Sequence, residues 1–231
     1  MISNPPPCIA FDAVGTLMTP HPSVADIYWR IGRKYGSGYS VAEIRQRFGV
    51  AFSQPTTADI LQTDEDREYT FWQRVMRDVL DDVNSPSECY TELYDVFAEP
   101  QAWRIYDDVP RTLDVLADRG IKLAVASNFD RRLLTLCDQI PELQTISVRV
   151  VSSVIGWKKP SREFYTALAS ACETAPEEIL MVGDTWESDV VAARNAGFQA
   201  RMIDRENTRT EPDRLQRLTD LLSDDTIGHR L

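Results

Sequence analysis

The apolar residues of the chain are spaced in two ways, and each spacing predicts a different kind of structure. Apolar residues that recur every three or four positions predict amphipathic helices. Short apolar runs that end in turn-forming residues predict buried strands, and such runs cover 8–11, 121–126, 146–151, 179–182 and 200–203. From about residue 103 onward the two patterns alternate, which is typical of a parallel sheet flanked by helices.

The helices predicted in the alternating part have recognisable ends. Gly120 and Gly197 follow the last apolar positions of two of them and are typical helix stops. The predicted helices cover 109–119, 131–140, 161–172, 190–196 and 213–222. Together with the strands they predict an α/β fold with a doubly wound, Rossmann-like parallel sheet.

Between about residues 23 and 98 the helical spacing continues without a predicted strand. Ser40 with Glu43, and Ser85 with Glu88, have the spacing of helix capping boxes. This stretch predicts an inserted all-helical unit of about four helices. We therefore expect a core domain of residues 1–18 plus 105–231 and a helical cap domain of residues 19–104.

The amino-acid composition restricts the kinds of molecule that the protein is expected to bind. The 231 residues include 36 acidic and 25 basic side chains, for a net charge of -11. Nucleic acids and anionic membranes require local positive charge, so we expect a small-molecule substrate instead. No apolar run approaches the roughly 20 residues of a membrane span, and no leader pattern begins the chain. The four cysteines lie far apart, as expected of reduced thiols in a cytoplasmic protein.

Polar residues that can support catalysis follow the predicted strands. Because parallel strands end at one edge of a sheet, we expect these side chains to meet there. They lie in four short segments: Asp12 with Gly15-Thr16, Ser127-Asn128, Lys158-Lys159-Pro160, and Gly183-Asp184 with Asp189. In this order the segments resemble the four motifs of the haloacid dehalogenase-like hydrolases, across nearly the whole chain. The resemblance is to members with a helical cap, and in particular to the rhythmically expressed gene 2-like subgroup.

The resemblance implies a two-step phosphatase mechanism. Asp12 would attack phosphorus, and water would then cleave the aspartyl phosphate. The groups expected to bind the phosphoryl oxygens are Ser127, Asn128 and Lys159, of which Lys159 also holds the nucleophile. The groups expected to hold Mg²⁺ supply hard oxygen ligands: Asp12, the backbone carbonyl of Val14, Asp184 and, directly or through water, Asp189. Lys158 is interpreted as a solvated neighbour of Lys159.

Val14 departs from the family pattern, because phosphatase members usually have an aspartate there that acts as general acid and base. Loss of such a group typically lowers a rate by ~10²–10⁴-fold. Metal binding by the carbonyl is unaffected by the side chain. The substrate could have a good leaving group, or another residue could supply the proton. His21 and Asp130 are the candidates, although they also fit a surface linker and a helix cap respectively.

Three other functions are compatible with Val14. A metal-independent 2-haloacid dehalogenase uses an aspartate to attack carbon, but gains nothing from the carboxylates of Asp184 and Asp189. A phosphonoacetaldehyde hydrolase-like enzyme needs a lysine in the cap to form an imine, and Lys34 is the only lysine between Asp12 and Lys122. A catalytically weak binding or regulatory module would have no need of the motif residues together. The favoured prediction is a Mg²⁺-dependent hydrolase of a small phosphorylated metabolite.

Overall fold

The computed structural model describes residues 6–54, 61–208 and 214–223. In these residues one parallel sheet has five strands, in the order β5-β4-β1-β6-β7. A separate antiparallel pair, β2 and β3, joins the two connections to a helical segment. The strands are β1 (Cys8–Phe11), β2 (Met18–Pro20), β3 (Trp103–Ile105), β4 (Lys122–Ser127), β5 (Val148–Val151), β6 (Ile179–Gly183) and β7 (Gln199–Met202). The predicted α/β fold with a doubly wound parallel sheet is confirmed.

Helices cover both faces of the sheet, and β1 shows why. Its residues alternate, so Ile9 and Phe11 pack into the apolar cluster on one face, whereas Cys8 and Ala10 pack into the cluster on the other. The helices of this part are α5 (Val109–Asp118), α6 (Arg132–Gln139), α7 (Ser152–Ile155), α8 (Arg162–Cys172) and α9 (Ala192–Asn195). Helices α5 and α6 cover the first face, and α8 and α9 the second. A strand that is buried on both faces has a continuous run of apolar residues in its sequence, and β1 is an example.

The described residues of the helical segment, 24–54 and 61–96, form an apolar cluster of their own together with Ala102. Its described helices are α1 (Val24–Lys34), α2 (Val41–Ser53), α3 (Glu65–Val79) and α4 (Pro86–Val96). The predicted capping box of Ser40 and Glu43 is confirmed, with hydrogen bonds in both directions. Ser85 precedes α4 but makes no side-chain cap hydrogen bond. The division into core and cap domains at residues 19–104 stays a prediction.

Two predicted elements differ from the structure near the end of the chain. The helix predicted at 213–222 is wrong in its described part, where only Leu218–Leu222 forms a short 3-10 helix; residue 213 lies outside the described residues. Leu215 instead bridges to Ile203 and donates its N–H to the carbonyl of Met202, which extends the edge of the sheet. The helix predicted from 190 begins earlier, as a π-helix at Trp186–Val191. Among the described helices, none has both the length and the apolar character needed to cross a bilayer.

Candidate active site

The central strand places Asp12 at the carboxyl edge of the sheet. Phe11, the last residue of β1, lies opposite Val125 of β4 and Val182 of β6. The N–H of Asp12 continues this pairing, because it donates to the carbonyl of Val182 over 2.9 Å. Asp12 therefore emerges between the ends of β4 and β6, which lead into the two neighbouring motif segments.

Lys159 connects two of the predicted acidic residues. Its ammonium donates to Asp12 Oδ1 over 2.7 Å, to Asp189 Oδ1 over 2.6 Å and to the carbonyl of Ala126 over 2.9 Å. Burial opposes the charge of Lys159, but the carboxylates of Asp12 and Asp189 outweigh burial and raise the pKa of Lys159. The lysine is thus a fixed cation with all three of its hydrogens engaged.

Asp184 lies beside the two carboxylates that contact the ammonium of Lys159. Oxygen atoms of Asp12, Asp184 and Asp189 lie within 4.8 Å of one another. Burial, followed by the charges of Asp12 and Asp189, raises the pKa of Asp184 to about 7. Burial also raises the pKa of Asp12, although the ammonium of Lys159 and the hydroxyl of Ser127 oppose that rise. Surplus negative charge on hard oxygen atoms is the donor set that a divalent cation such as Mg²⁺ fits.

Asp189 is held from two sides. Its Oδ1 accepts from Lys159, and its Oδ2 accepts the backbone N–H of Thr185 over 3.0 Å. The π-helix at Trp186–Val191 carries this residue, and such helices often occur at functional sites. A Cβ at Gly183 would lie 2.3 Å from Asp189 Cγ, so this position requires glycine. Asp189 can therefore orient Lys159 as well as contribute charge.

Gly15 lets the turn after β1 approach Asp184. Gly15 has φ +85°, and a Cβ there would lie 2.2 Å from Asp184 Oδ2. The turn is closed by hydrogen bonds that the carbonyls of Ala13 and Met18 accept, not the carbonyl of Val14. The sequence indicated a turn at Gly15 but not its contact with Asp184, since a turn glycine carries no signal of what it faces.

This contact predicts that Gly15→Ala disrupts the acidic cluster. Gly120→Ala is a matched control, because Gly120 has φ +74° but no atom within 4 Å of an added Cβ. Both variants should lose about 1–2 kcal/mol of unfolding free energy from the left-handed backbone, and Gly15→Ala a further ~1–3 kcal/mol from overpacking. Urea denaturation measures both. Equal losses in the two variants would contradict the packing of Gly15 on Asp184.

Asn128 holds the backbone of Lys159. Its side-chain Oδ1 accepts the N–H of Lys159 over 2.7 Å, and its Nδ2 donates to the carbonyl of Lys159 over 2.9 Å. The sequence suggested Asn128 only as a phosphate donor. Residue spacing could not reveal this contact, because the two residues are 31 positions apart and follow different strands. The neighbouring Ser127 is buried beside Asp12.

Val14 is half-buried and packs against the apolar cluster that contains Ile9 and Phe11. The two candidate replacements for the missing acid are placed differently. His21 is exposed and its backbone N–H donates to the carbonyl of Ala102. Asp130 is fully buried and accepts hydrogen bonds from the backbone and the guanidinium of Arg132. That ion pair engages the carboxylate of Asp130. Asp130 is not the helix cap, because the N-cap of α6 is Arg131 and makes no side-chain cap hydrogen bond.

Two lysines outside the cluster also have partners. Lys34 is largely exposed and forms an ion pair with Glu92 at 2.6 Å. The hydrogen bond to Glu92 raises the pKa of Lys34, whereas an imine-forming lysine needs a lowered pKa. The interpretation of Lys158 as solvated is wrong, because its half-buried side chain pairs with the buried Glu68 at 2.6 Å.

Comparison with known proteins places the chain in a family of hydrolases. The family model of the haloacid dehalogenase-like hydrolases matches residues 6–197, so the chain belongs to that family. The haloacid dehalogenase-like hydrolase domain-containing protein 3 of Danio rerio is 24% identical over 206 residues, covering 86% of this chain and 85% of that protein. The match to the Bos taurus protein of the same name covers 53% of its length. A phosphoserine phosphatase of Thermus thermophilus is 29% identical over 159 residues, covering 62% of this chain and 60% of the relative.

Solved structures share the fold. A HAD phosphatase from Thermococcus onnurineus has a TM-score of 0.66 at 23% identity and covers 93% of this chain and 95% of its own. A dehalogenase with an intermediate complex has a TM-score of 0.74 at 17% identity, with coverage of 99% and 100%. The same fold therefore occurs in a phosphatase and in a dehalogenase, so the fold alone does not distinguish these two activities.

Proposed function

We propose that this protein is a Mg²⁺-dependent phosphohydrolase of a small phosphorylated metabolite, with an aspartyl-phosphate intermediate at Asp12. The observation that carries the proposal is the cluster of Asp12, Asp184 and Asp189, in which Asp12 and Asp189 pair with the buried ammonium of Lys159. A metal-free attack on a carboxylate substrate would be hindered by this added negative charge. The similarity to relatives named phosphoserine phosphatase and phosphoglycolate phosphatase also supports phosphate chemistry.

Asp12 is the nucleophile of the proposed reaction. A carboxylate oxygen of Asp12 forms a bond to phosphorus as the bond to the leaving oxygen breaks. Water then attacks the aspartyl phosphate, which releases phosphate and restores the carboxylate. Lys159 offsets the repulsion between the carboxylate and the approaching phosphoryl group, because its charge is fixed 2.7 Å from Asp12 Oδ1.

The phosphoryl oxygens have donors on the β4 side of Asp12. The hydroxyl of Ser127 is one of them. The amide nitrogen of Asn128 carries a second hydrogen besides the one donated to Lys159, and that hydrogen can bind a phosphoryl oxygen. Lys159 acts mainly through its charge, because its own hydrogens are engaged by Asp12, Asp189 and Ala126. Ser127, Asn128 and Lys159 thus bind and orient the group that is transferred.

Mg²⁺ would be held by Asp12, the backbone carbonyl of Val14 and Asp184, and when bound would neutralise the charge of the phosphoryl group. Asp189 supports this set by orienting Lys159 and adding negative charge. The pKa of Asp184, about 7 without a cation, fits this role, because a carboxylate crowded by like charges is stabilised by a cation.

The leaving group must depart without help from position 14. Val14 has no proton to give, His21 is exposed and Asp130 is engaged by Arg132. We therefore propose substrates whose leaving group is already stable as an anion, such as acyl phosphates. In this proposal the helical cap of residues 19–104 covers the edge that carries Asp12 and selects the substrate. A cytoplasmic protein without nucleic-acid or membrane partners is consistent with the four buried free cysteines and the acidic charge.

The proposal is tested with acetyl phosphate, p-nitrophenyl phosphate and an alkyl phosphate, each with Mg²⁺ and with EDTA. Turnover should require Mg²⁺ and should be faster for substrates with better leaving groups. Mg²⁺ should also raise the unfolding temperature, since a ligand at 100 times its Kd stabilises the folded state by about 2.7 kcal/mol. Asp184→Asn should weaken both effects. Release of halide from 2-chloropropionate in EDTA, without phosphate hydrolysis, would contradict the proposal and favour a dehalogenase.

A further inference from the structure

The helical segment reaches the loop that carries Lys159 through a short stretch of backbone pairing. Gln62 bridges antiparallel to Trp157. The N–H of Lys158 donates to the carbonyl of Leu61 over 2.8 Å, and the N–H of Thr63 donates to the carbonyl of Gly156 over 3.0 Å. Residues that lead into α3 are thus joined to the residues immediately before Lys159.

Glu68 of α3 fixes the same loop through side chains. It is 5% exposed, and its Oε1 pairs with the ammonium of Lys158 at 2.6 Å. The hydroxyl of Thr63 donates to that oxygen over 2.6 Å. Since the carboxylate of Glu68 is buried, leaving it without the ammonium of Lys158 would be costly, and this contact therefore holds the loop against α3. Lys158 and Lys159 are consecutive but have different partners, Glu68 for the first and Asp12 with Asp189 for the second.

Glu65, one turn earlier on α3, holds the loop after β4. Its carboxylate accepts the backbone N–H of Arg131 at 3.1 and 3.3 Å, and it also accepts the hydroxyl of Ser153. Arg131 follows the segment of Ser127 and Asn128. Helix α3 therefore binds both loops whose residues surround the phosphoryl position, and Asn128 then ties one loop to the other through the backbone of Lys159.

We infer that Glu65 and Glu68 are positioning residues of the catalytic centre, which act from the helical segment by fixing the loops of Asn128 and Lys159. The inference deepens the proposed function and rests on it for the identity of the reaction. Neither glutamate needs to touch the substrate. When α3 packs against these loops, Lys159 is placed correctly at the same time. Substrate entry beneath the helical segment is therefore linked to assembly of the catalytic centre.

The test compares Glu68→Gln and Lys158→Met with the control Glu88→Gln, which changes an exposed glutamate of the same segment. With acetyl phosphate and Mg²⁺, kcat should fall about 10- to 100-fold in the first two variants, because small misplacements of catalytic groups have effects of this size. The control should match the wild type. The double variant of Glu68 and Lys158 should lose no more than either single variant, since both act through one contact.

Hydrogen exchange of the amides of Lys158 and Lys159 supplies a readout that does not depend on turnover. Exchange should become faster in Glu68→Gln and in Lys158→Met, with unfolding temperatures and circular dichroism showing that both variants fold. Unchanged exchange, or kcat within about 2-fold of the control, would overturn the inference. A wild type that hydrolyses no phosphate would overturn the proposed function instead, while the exchange rates would still decide whether α3 holds the Lys159 loop.

Discussion

Replacing Asp12 with Asn is expected to lower kcat on acetyl phosphate by about 10⁴-fold or more, as removal of a covalent nucleophile generally does. The amide has the shape of the carboxylate but is a far weaker nucleophile. Steady-state rates at saturating substrate and Mg²⁺ measure the loss. Residual activity within about 10-fold of the wild type would contradict the assignment of Asp12 as nucleophile.

The same variant separates catalysis from folding. Burial raises the pKa of Asp12 in the folded protein, so its ionised form is less stable there than in the unfolded chain. At pH values above that raised pKa, the charge of Asp12 therefore lowers the stability of the metal-free protein. Asp12→Asn removes the charge, and its unfolding temperature in EDTA should equal or exceed that of the wild type. A lower unfolding temperature would indicate that the activity was lost because the variant is misfolded.

Replacing Val14 with Asp is expected to raise kcat/KM on alkyl phosphates by ~10²–10⁴-fold, the usual contribution of a general acid. Partial burial and the negative charge of the acidic cluster would raise the pKa of the new carboxyl group, which favours the protonated form that can donate. The value of kcat/KM for acetyl phosphate should change little, because its leaving group departs without a proton. The value of kcat/KM depends only on the steps up to and including departure of the leaving group, so it isolates the effect of the general acid.

Val14→Asn is the matched control for this gain, since it has the size of the aspartate but no acidic proton to transfer to a leaving group. Its kcat/KM on both substrates should stay near or below that of the wild type. An equal gain of kcat/KM in Val14→Asn would show that the effect comes from polarity or packing and not from proton donation. No gain in Val14→Asp, with the protein folded and active on acetyl phosphate, would contradict the view that the centre lacks only its acid.

The elements that bring the site together were predictable because their signals are local. An apolar run such as 8–11 is buried on both faces, and Asp12 follows it at a turn that Gly15 makes possible. The order of the four motif segments then predicted which polar residues would lie at one edge. The helices of the helical segment were predictable for the same reason, since their apolar spacing and caps are properties of short stretches.

The contacts between distant residues could not be predicted in this way. Nothing in the spacing of Lys158 distinguishes a solvated lysine from one paired with Glu68, because that depends on where α3 packs. The pairing of Asn128 with the backbone of Lys159 is of the same kind. The helix predicted at 213–222 failed because pairing of Leu215 with the sheet edge overrides a helical spacing of apolar residues.

The central claim, that Asp12 becomes phosphorylated, is tested most directly by acid quenching during turnover of acetyl phosphate with Mg²⁺, followed by peptide mass spectrometry. Val14 cannot activate water either, so the intermediate should break down slowly and accumulate. The account predicts one added phosphoryl group on the peptide containing Asp12, and none in the Asp12→Asn variant. Turnover without a phosphorylated peptide at any time, or phosphorylation of another residue, would contradict it.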